Sequence, residues 1–186
     1  RVREVAPFYP NLELRRKITT WLGINRIKIE DEIENIGFRA SPLMLLYHCN
    51  FGFPLVDEGS EVLLDPKETV VKEGTPSKDA DQWNKVSAPV RDYEERVYYH
   101  DLKPDSSGIC TAGIVNKNSV SGKKLEVKLS FKKEELPIFT HWKMMGEAEY
   151  VIGLEPGNCH PEGRQKEKEI FKTLQYLKPG EIKKSG

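Results

Sequence analysis

Apolar residues recur at every second position along most of this chain, and this period of two constrains the fold more than any other feature of the sequence. In the stretch 125–131, four apolar residues alternate with charged or polar ones, and the stretches 12–19 and 27–34 follow the same rule. Such alternation is typical of strands that bury one face and expose the other, as antiparallel sheets do. We therefore predict half-buried antiparallel strands in all three places.

Other stretches carry strand signals of a different kind. Residues 43–47 and 109–115 are apolar on both faces, which predicts central strands of a sandwich. Additional strands are predicted at 61–64, 69–72, 94–99, 141–145 and 150–154.

Helix and loop signals are few. Only 164–172 has helical spacing, with a charge run typical of a solvated face. The segment 73–89 contains Gly74, Pro76 and Pro89, which predicts a long excursion between strands, of the kind that often borders a site. Roughly eight to ten strands with almost no helix predict an all-β sandwich or barrel.

Charge balance excludes some classes of partner. The chain has 29 Lys+Arg and 29 Asp+Glu, so its formal net charge is zero. That balance removes the sequence-independent attraction to phosphate backbones, and we expect no nucleic-acid partner. No apolar run approaches the roughly 20 residues that cross a bilayer, so we expect no membrane partner either.

The cysteines and the metal motifs give equally negative signals. Cys49, Cys110 and Cys159 are odd in number, far apart and never arranged as C-x-x-C. This pattern supports neither a disulfide framework nor a structural zinc site, and it favours a reducing cytoplasm. The spacings H-x-H, H-E-x-x-H and G-x-G-x-x-G are also absent. We therefore expect no metal and no cofactor.

His48 is the first candidate for chemistry. If Leu45 and Tyr47 share one face of a strand, His48 and Asn50 share the other, at the point where the strand opens into a turn. An imidazole in that place could titrate near neutral pH and exchange protons with a ligand. The alternative is a buried, hydrogen-bonded histidine, and spacing alone leaves both open.

Glu155 is the second candidate. Leu154 shares an apolar face with Ile152, so Glu155 points the other way, and the flanking Gly153 and Gly157 leave space above the strand. A carboxyl group among apolar and glycine neighbours should have a raised pKa. The alternative is a glutamate that caps a turn at the end of a strand.

Three further residues carry weaker signals. Asp31 lies in phase with buried positions, and we favour a structural ion pair with Arg16. Trp142 offers a flat apolar face of the type that stacks on sugar rings, although tryptophan more often packs in a core. Asp101, next to His100 at a predicted strand end, could add a polar group.

The order of these clusters carries a resemblance. The pattern consists of Asn35-x-Gly37, Pro42, His48-Cys49-Asn50-Phe51-Gly52 and Leu154-Glu155-Pro156. It resembles the aldose 1-epimerase (galactose mutarotase-like) superfamily, and most closely a bacterial branch of aldose-1-epimerase-like proteins. The matching stretches are LLYHCNFGFPLVDEGS, HWKMMGEAEYVIGLEPGNCHPEGR and YLKPGE, and the resemblance covers most of the chain.

The resemblance implies a fold and a site. It implies a large antiparallel β-sandwich in which His48 acts as general acid and Glu155 as general base. We expect the substrate, a small-molecule sugar, to bind Asn50, Asp101 and Trp142, with Asp101 taking the place of an aspartate that binds sugar hydroxyls in the relatives.

The chain also departs from the superfamily. Full-length members are longer at the N-terminus, so we interpret residues 1–186 as a single domain that is the C-terminal portion of a truncated sandwich. We expect such a fragment to self-associate into a homo-oligomer. The motif YFNL after the acid histidine of galactose mutarotases reads CNFGFP here, which leaves the sugar preference open.

The residues and the resemblance leave two functions from different classes open. The first is an aldose 1-epimerase that interconverts α and β anomers by general acid/base catalysis with ring opening. The second is a non-catalytic carbohydrate-binding sandwich. A cupin-like metal isomerase is a third reading, against which the absence of H-x-H spacing counts.

Overall fold

The computed structural model describes residues 1–5, 7, 10–76 and 80–186, and its strands pair with one another in antiparallel fashion. The strands in chain order are β1 (Val2–Val5), β2 (Asn11–Trp21), β3 (Ile24–Asn35), β4 (Ser41–Leu43), β5 (Cys49–Phe51), β6 (Glu61–Leu63), β7 (Pro66–Val71), β8 (Arg96–Leu102), β9 (Ile109–Asn116), β10 (Leu125–Lys132), β11 (Ile138–Gly146), β12 (Glu149–Gly157), β13 (Gln175–Leu177) and β14 (Ile182–Ser185). This architecture confirms the predicted all-β antiparallel sandwich.

The chain divides into two compact units. Unit 1 comprises Arg1–Leu45 and Glu162–Gly186, and unit 2 comprises Leu46–Pro161. Unit 1 contains a four-stranded sheet in the order β1-β2-β3-β14 and a smaller pair formed by β4 and β13. Its buried core consists of Leu12, Ile33, Leu43 and Leu177.

An ion pair lies on the inward face of the long β2–β3 hairpin. Arg16 and Asp31 are register partners, and the guanidinium donates to both carboxylate oxygens at 2.8 and 2.7 Å. Asp31 is buried. The predicted ion pair is thus confirmed, and it explains why a carboxylate occupies a position in phase with isoleucines, since a paired charge can be buried.

Among the described residues of unit 1, helical structure occurs only within 164–172, the stretch with helical spacing. The short α-helix α1 (Arg164–Lys166) continues directly into a π-helical turn, Glu167–Phe171. Among the described residues, no helix is long and apolar enough to cross a lipid bilayer.

Unit 2 contains two sheets. The larger has the order β5-β12-β11-β8-β7, and the smaller has the order β10-β9-β6. Phe131 of β10 and Phe139 of β11 stack with ring centroids 5.8 Å apart, so the two sheets pack face to face. Ile114, Ile152 and Leu154 are completely buried between them. The period of two then directs the alternate residues of β12, including Glu155, to the opposite face of the large sheet.

One predicted strand was wrong. Residues 43–47 do not form a continuous strand, because β4 ends at Leu43 and β5 begins only at Cys49. Between them, Leu46 makes a single bridge to Gly157. An apolar run predicts that its side chains are buried, but it does not predict that its backbone pairs in a sheet. Here the chain passes from unit 1 to unit 2 within the run.

The predicted excursion between strands is confirmed and longer than expected, since β7 ends at Val71 and β8 begins at Arg96. Residues 77–79 of it lie outside the described residues. A short 3-10 helix, Ala80–Gln82, opens its second half. The ammonium group of Lys143 donates to the carbonyl oxygens of Gln82, at 3.4 Å, and Lys85, which fastens the excursion to β11.

Candidate functional site

The register of the large sheet in unit 2 collects polar side chains on its outer face. Glu155 of β12 pairs with Thr140 of β11, and Gly153 pairs with Trp142. Trp142 in turn pairs with Val97 of β8. Because partners in a ladder point to the same face, these residues lie side by side opposite the core.

The same face continues onto β5, and His48 directly precedes that strand. Gly153 pairs with Asn50 and Leu154 with Cys49, so continuing the register brings His48 beside Glu155. The distance from His48 Nε2 to Glu155 Oε1 is 3.0 Å. Residues that are 107 positions apart in the chain, 155 − 48, therefore meet through sheet pairing alone.

A cavity of about 320 Å³ opens on this face. The residues that line it come from five segments of unit 2 and include two carboxylates, one ammonium group and one imidazole. They are His48, Lys72, Glu95, Val97, Thr140, Trp142, Glu155 and Pro161.

Gly153 makes room for the carboxyl group of Glu155. A Cβ atom at position 153 would overlap Oε1 of Glu155 and would lie 3.3 Å from Cε1 of His48. The sequence predicted that glycine would leave space above the strand, and the group that fills the space is the side chain of Glu155 itself.

Burial changes the acidity of Glu155. Its side chain is only 2% exposed, whereas that of His48 is 46% exposed. No described residue donates a well-aligned hydrogen bond to Oε1, although Nε2 of His48 lies 3.0 Å from it. Desolvation, assisted by the negative charge of Glu95, raises the pKa of Glu155 to about 7. A carboxyl group with that pKa can give or accept a proton near neutral pH.

Trp142 links the two sides of the cavity. Its Nε1 donates to Oε2 of Glu95 at 2.7 Å. Its ring meets the imidazole of His48 edge-on, with centroids 5.8 Å apart and an interplanar angle of 66°. The tryptophan thus contacts both a carboxylate and the imidazole of the candidate pair.

The structure brings together three of the five residues predicted for the site. His48, Trp142 and Glu155 line one cavity. Asn50 lies in the same sheet beside Gly153, is exposed and does not line the cavity. Asp101 does not line it either, and its carboxylate forms an ion pair with Lys133 at 2.7 Å. The binding roles of Asn50 and Asp101 stay predictions.

Sequence reasoning did not single out Lys72, Glu95 or Thr140, although all three line the cavity. Lys72 directly precedes the segment 73–89, which was predicted to border a site, but nothing marked the residue itself. Glu95 fell within the predicted strand 94–99, whereas the observed strand β8 begins only at Arg96. Thr140 carried no signal, because a threonine in a strand is an ordinary β-former.

Two other histidines lie on the core side of the sheet. His100 and His141 are buried and stack with ring centroids 5.7 Å apart. Thr69 Oγ1 lies 2.9 Å from Nδ1 of His100, whereas neither ring nitrogen of His141 meets a hydrogen-bond partner among the described residues. Among those residues, no group of three or more His, Cys, Asp and Glu side chains is arranged to hold a metal ion.

Comparison with solved structures identifies the class of fold. A crystal structure from Klebsiella pneumoniae subsp. pneumoniae, provisionally named an aldose 1-epimerase, superposes with a TM-score of 0.89 at 24% identity, over 99% of this chain and 47% of that one. A galactose mutarotase-like protein from Lactobacillus casei gives 0.60 at 12% identity, over 98% of this chain and 65% of the other. A galactose mutarotase related enzyme from Lactobacillus acidophilus gives 0.61 at 12%, over 100% and 64%. The fold is therefore the galactose mutarotase-like β-sandwich.

The chain belongs to the family described as a domain of unknown function (DUF4432), whose model matches residues 1–186. It spans about half the length of the Klebsiella protein. A search of curated protein sequences found no match.

Proposed function

We propose that this chain carries the acid/base site of an aldose 1-epimerase, which interconverts the α and β anomers of a sugar by opening and closing its ring. His48 is the general acid, and Glu155 is the general base. The observation that carries the proposal is the 3.0 Å contact between His48 Nε2 and Glu155 Oε1 at the wall of an open cavity.

Ring opening needs two proton transfers, one at each of the two oxygen atoms bonded to the anomeric carbon. Glu155 removes the proton of the anomeric hydroxyl while protonated His48 gives a proton to the ring oxygen, and the bond between that oxygen and C1 breaks. The C1–C2 bond of the open-chain aldehyde rotates. The freed hydroxyl then attacks C1 from the other face, returns its proton to His48, and Glu155 reprotonates the new anomeric hydroxyl. Each positioned transfer contributes on the order of 10²–10⁴-fold.

The acidity of Glu155 supports its role. Its pKa of about 7 means that a proton can leave and return near neutral pH at little cost. The cavity, at about 320 Å³, is at the lower end of the range of roughly 300–1,000 Å³ that is usual for small-molecule sites. Trp142 offers the apolar ring face that sugar C–H groups pack against.

One observation favours a second candidate, a β-sandwich that binds sugars without catalysing their interconversion. His48 contacts Glu155 directly, and Oε1 of that carboxyl is buried, so no sugar ring fits between the two side chains in this arrangement. Catalysis therefore requires the sugar to reach both groups from the open side of the cavity. A binding protein has no such requirement.

Anomer exchange measured by NMR separates the two candidates. The expected result is catalysed exchange for at least one aldose in a panel of freshly dissolved α-anomers. In Glu155→Gln and His48→Asn, the exchange rate should fall by about 10²–10⁴-fold, and the double variant should be little slower than either, because the two groups act as a unit.

The matched control is Glu126→Gln, which changes a surface carboxylate of β10 that pairs with Lys124 and Lys128. It should exchange anomers at the wild-type rate. Saturable sugar binding without catalysed exchange in the wild type would instead establish the binding protein.

A further inference from the structure

Glu95 lines the cavity but takes no part in the proposed proton transfers. It directly precedes β8, and it is held in place because Oε2 accepts the hydrogen bond from Nε1 of Trp142 at 2.7 Å. Only one of its carboxylate oxygens is needed for that bond. The residue is therefore a fixed negative charge beside the candidate acid/base pair.

The imidazole of His48 needs support from side chains. His48 lies outside the regular strands, just before β5, and its side chain is 46% exposed. The edge-on ring of Trp142, with centroids 5.8 Å apart, bounds one side of the imidazole. Contacts therefore run without a gap from Glu95 through Trp142 and His48 to Glu155, where the last step is 3.0 Å.

One of the charged side chains around the cavity changes the acidity of the proposed base. Among the described residues, the titratable and charged side chains that line it are His48, Lys72, Glu95 and Glu155. Glu95 and Glu155 have the same sign when ionised, and the negative charge of Glu95 adds to burial in raising the pKa of Glu155. Glu95 therefore opposes ionisation of the base.

We propose that Glu95 is a positioning residue for the proposed anomer interconversion: through Trp142 it fixes the imidazole of His48 over Glu155, and its negative charge acts directly on the carboxyl of Glu155. The effect of Glu95 on catalysis rests on the proposed function. The support of the His48 ring and the effect of the charge on Glu155 do not depend on catalysis, because they involve only side chains of this chain.

Two variants separate the two actions. Glu95→Gln keeps an oxygen that can accept from Trp142 but removes the charge. Trp142→Phe keeps an aromatic ring against His48 but removes the donor, so Glu95 loses its anchor. The neighbouring Glu94→Gln is the matched control, since Glu94 does not line the cavity.

Kinetic measurements give the first readout. In Glu95→Gln, the acidic limb of the pH profile of catalysed anomer exchange should move to lower pH by about half a unit to one unit, with the plateau rate within about threefold of wild type. In Trp142→Phe, the plateau rate should fall by about 10–100-fold, because a misplaced acid is costly, while the limb moves little. Glu94→Gln should change neither.

A spectroscopic readout keeps this test separate from the test of the proposed function. With ¹³C-labelled Glu and His, the titration of the Glu155 carboxyl should shift downward in Glu95→Gln, and the His48 ring resonances should move in Trp142→Phe. If the wild type lacks turnover, the proposed function fails, but these shifts still decide the role of Glu95. A Glu155 titration unchanged in Glu95→Gln, or unchanged His48 resonances in Trp142→Phe, overturns the proposal.

Discussion

At the scale of single residues, the site depends on one missing side chain. Gly153 lies under the carboxyl group of Glu155, and any Cβ there would overlap Oε1. A side chain at position 153 would displace this carboxyl group away from the imidazole of His48, which it contacts at 3.0 Å. The glycine is therefore needed for the geometry of the acid/base pair.

Gly153→Ala should accordingly lower catalysed anomer exchange by about 10-fold or more while the chain stays folded, since a small displacement of a catalytic group is costly. The control is Gly146→Ala in the same sheet, where a Cβ would meet its neighbours at an ordinary 3.6 Å. Activity and circular dichroism are measured together. Wild-type exchange in Gly153→Ala would mean that the position of Glu155 is not critical.

The raised pKa of Glu155 also has a cost in stability. The folded state holds this proton more tightly than the unfolded chain, so Glu155 lowers the free energy of unfolding as the pH rises from its ordinary pKa of 4.5 through about 7. Glu155→Gln removes that penalty. At pH 8 the variant should be more stable than wild type, by on the order of 1–3 kcal/mol, and at pH 4 the difference should vanish.

Urea titrations at the two pH values measure this effect. If Glu155→Gln and wild type differed in stability by the same amount at pH 4 and pH 8, burial would not raise the pKa of Glu155.

At the scale of elements, the β11–β12 hairpin and its neighbours carry the site, and the excursion between β7 and β8 completes it. Lys143 points to the core side of β11, is 7% exposed, and donates to two carbonyl oxygens of the excursion. A buried ammonium group is tolerated only when its donors are satisfied. The bonds from Lys143 therefore stabilise the excursion on the sheet.

Lys143→Met keeps the length of the side chain and removes the donors. Backbone amides of the excursion, such as those of Lys85 and Val86, should then exchange hydrogen at least about 10-fold faster, because local opening becomes easier. Hydrogen exchange followed by NMR or mass spectrometry measures this, with Lys128→Met on the exposed face of β10 as control. Unchanged protection in Lys143→Met would show that other contacts hold the excursion.

The strands show what periodicity can and cannot predict. The alternation at 12–19, 27–34 and 125–131 predicted β2, β3 and β10 correctly. A strand with one solvent-exposed face and one buried face alternates polar and apolar residues with a period of two. The run at 43–47 misled, because apolar residues are buried whether or not their backbone pairs. Short strands such as β13 and β14 passed unnoticed, since three or four residues are too few to show a period.

At the scale of the whole molecule, buried histidines couple folding to pH. Desolvation lowers the pKa of His100 to about 4 and that of His141 well below 6.5. The unfolded chain therefore binds these protons more readily, so their contribution to stability is complete above pH 6.5 and is lost as the pH falls towards 4. The core of unit 2 should weaken in mild acid.

His141→Leu should flatten this dependence by about 1–3 kcal/mol between pH 7 and pH 4, because one of the two buried imidazoles no longer takes up a proton on unfolding. His160→Leu, which lies outside the buried pair, serves as control. The free energy of unfolding is measured against pH for all three proteins. Parallel curves for wild type and His141→Leu would contradict the account.

The site was predictable only in part. His48 and Glu155 could be named because each stands in opposite phase to apolar neighbours and because their motifs resemble a known superfamily. Glu95 and Lys72 reach the cavity through the placement of a long excursion, which no local pattern encodes. Asp101 was named from its place at a predicted strand end and from the resemblance, but Lys133, which follows β10, forms an ion pair with it, and a single sequence does not show long-range pairing of that kind.

The pH dependence of catalysed anomer exchange tests the central claim most directly, that Glu155 is the base of an acid/base pair with His48. The exchange rate, corrected for the rate in buffer alone, is measured by NMR from pH 5 to pH 9. Because the base must be ionised to act, the rate should rise through a midpoint of about 7, the pKa of Glu155, and this limb should be absent in Glu155→Gln. A rate that does not change between pH 5 and pH 8, or one that Glu155→Gln leaves intact, would contradict it.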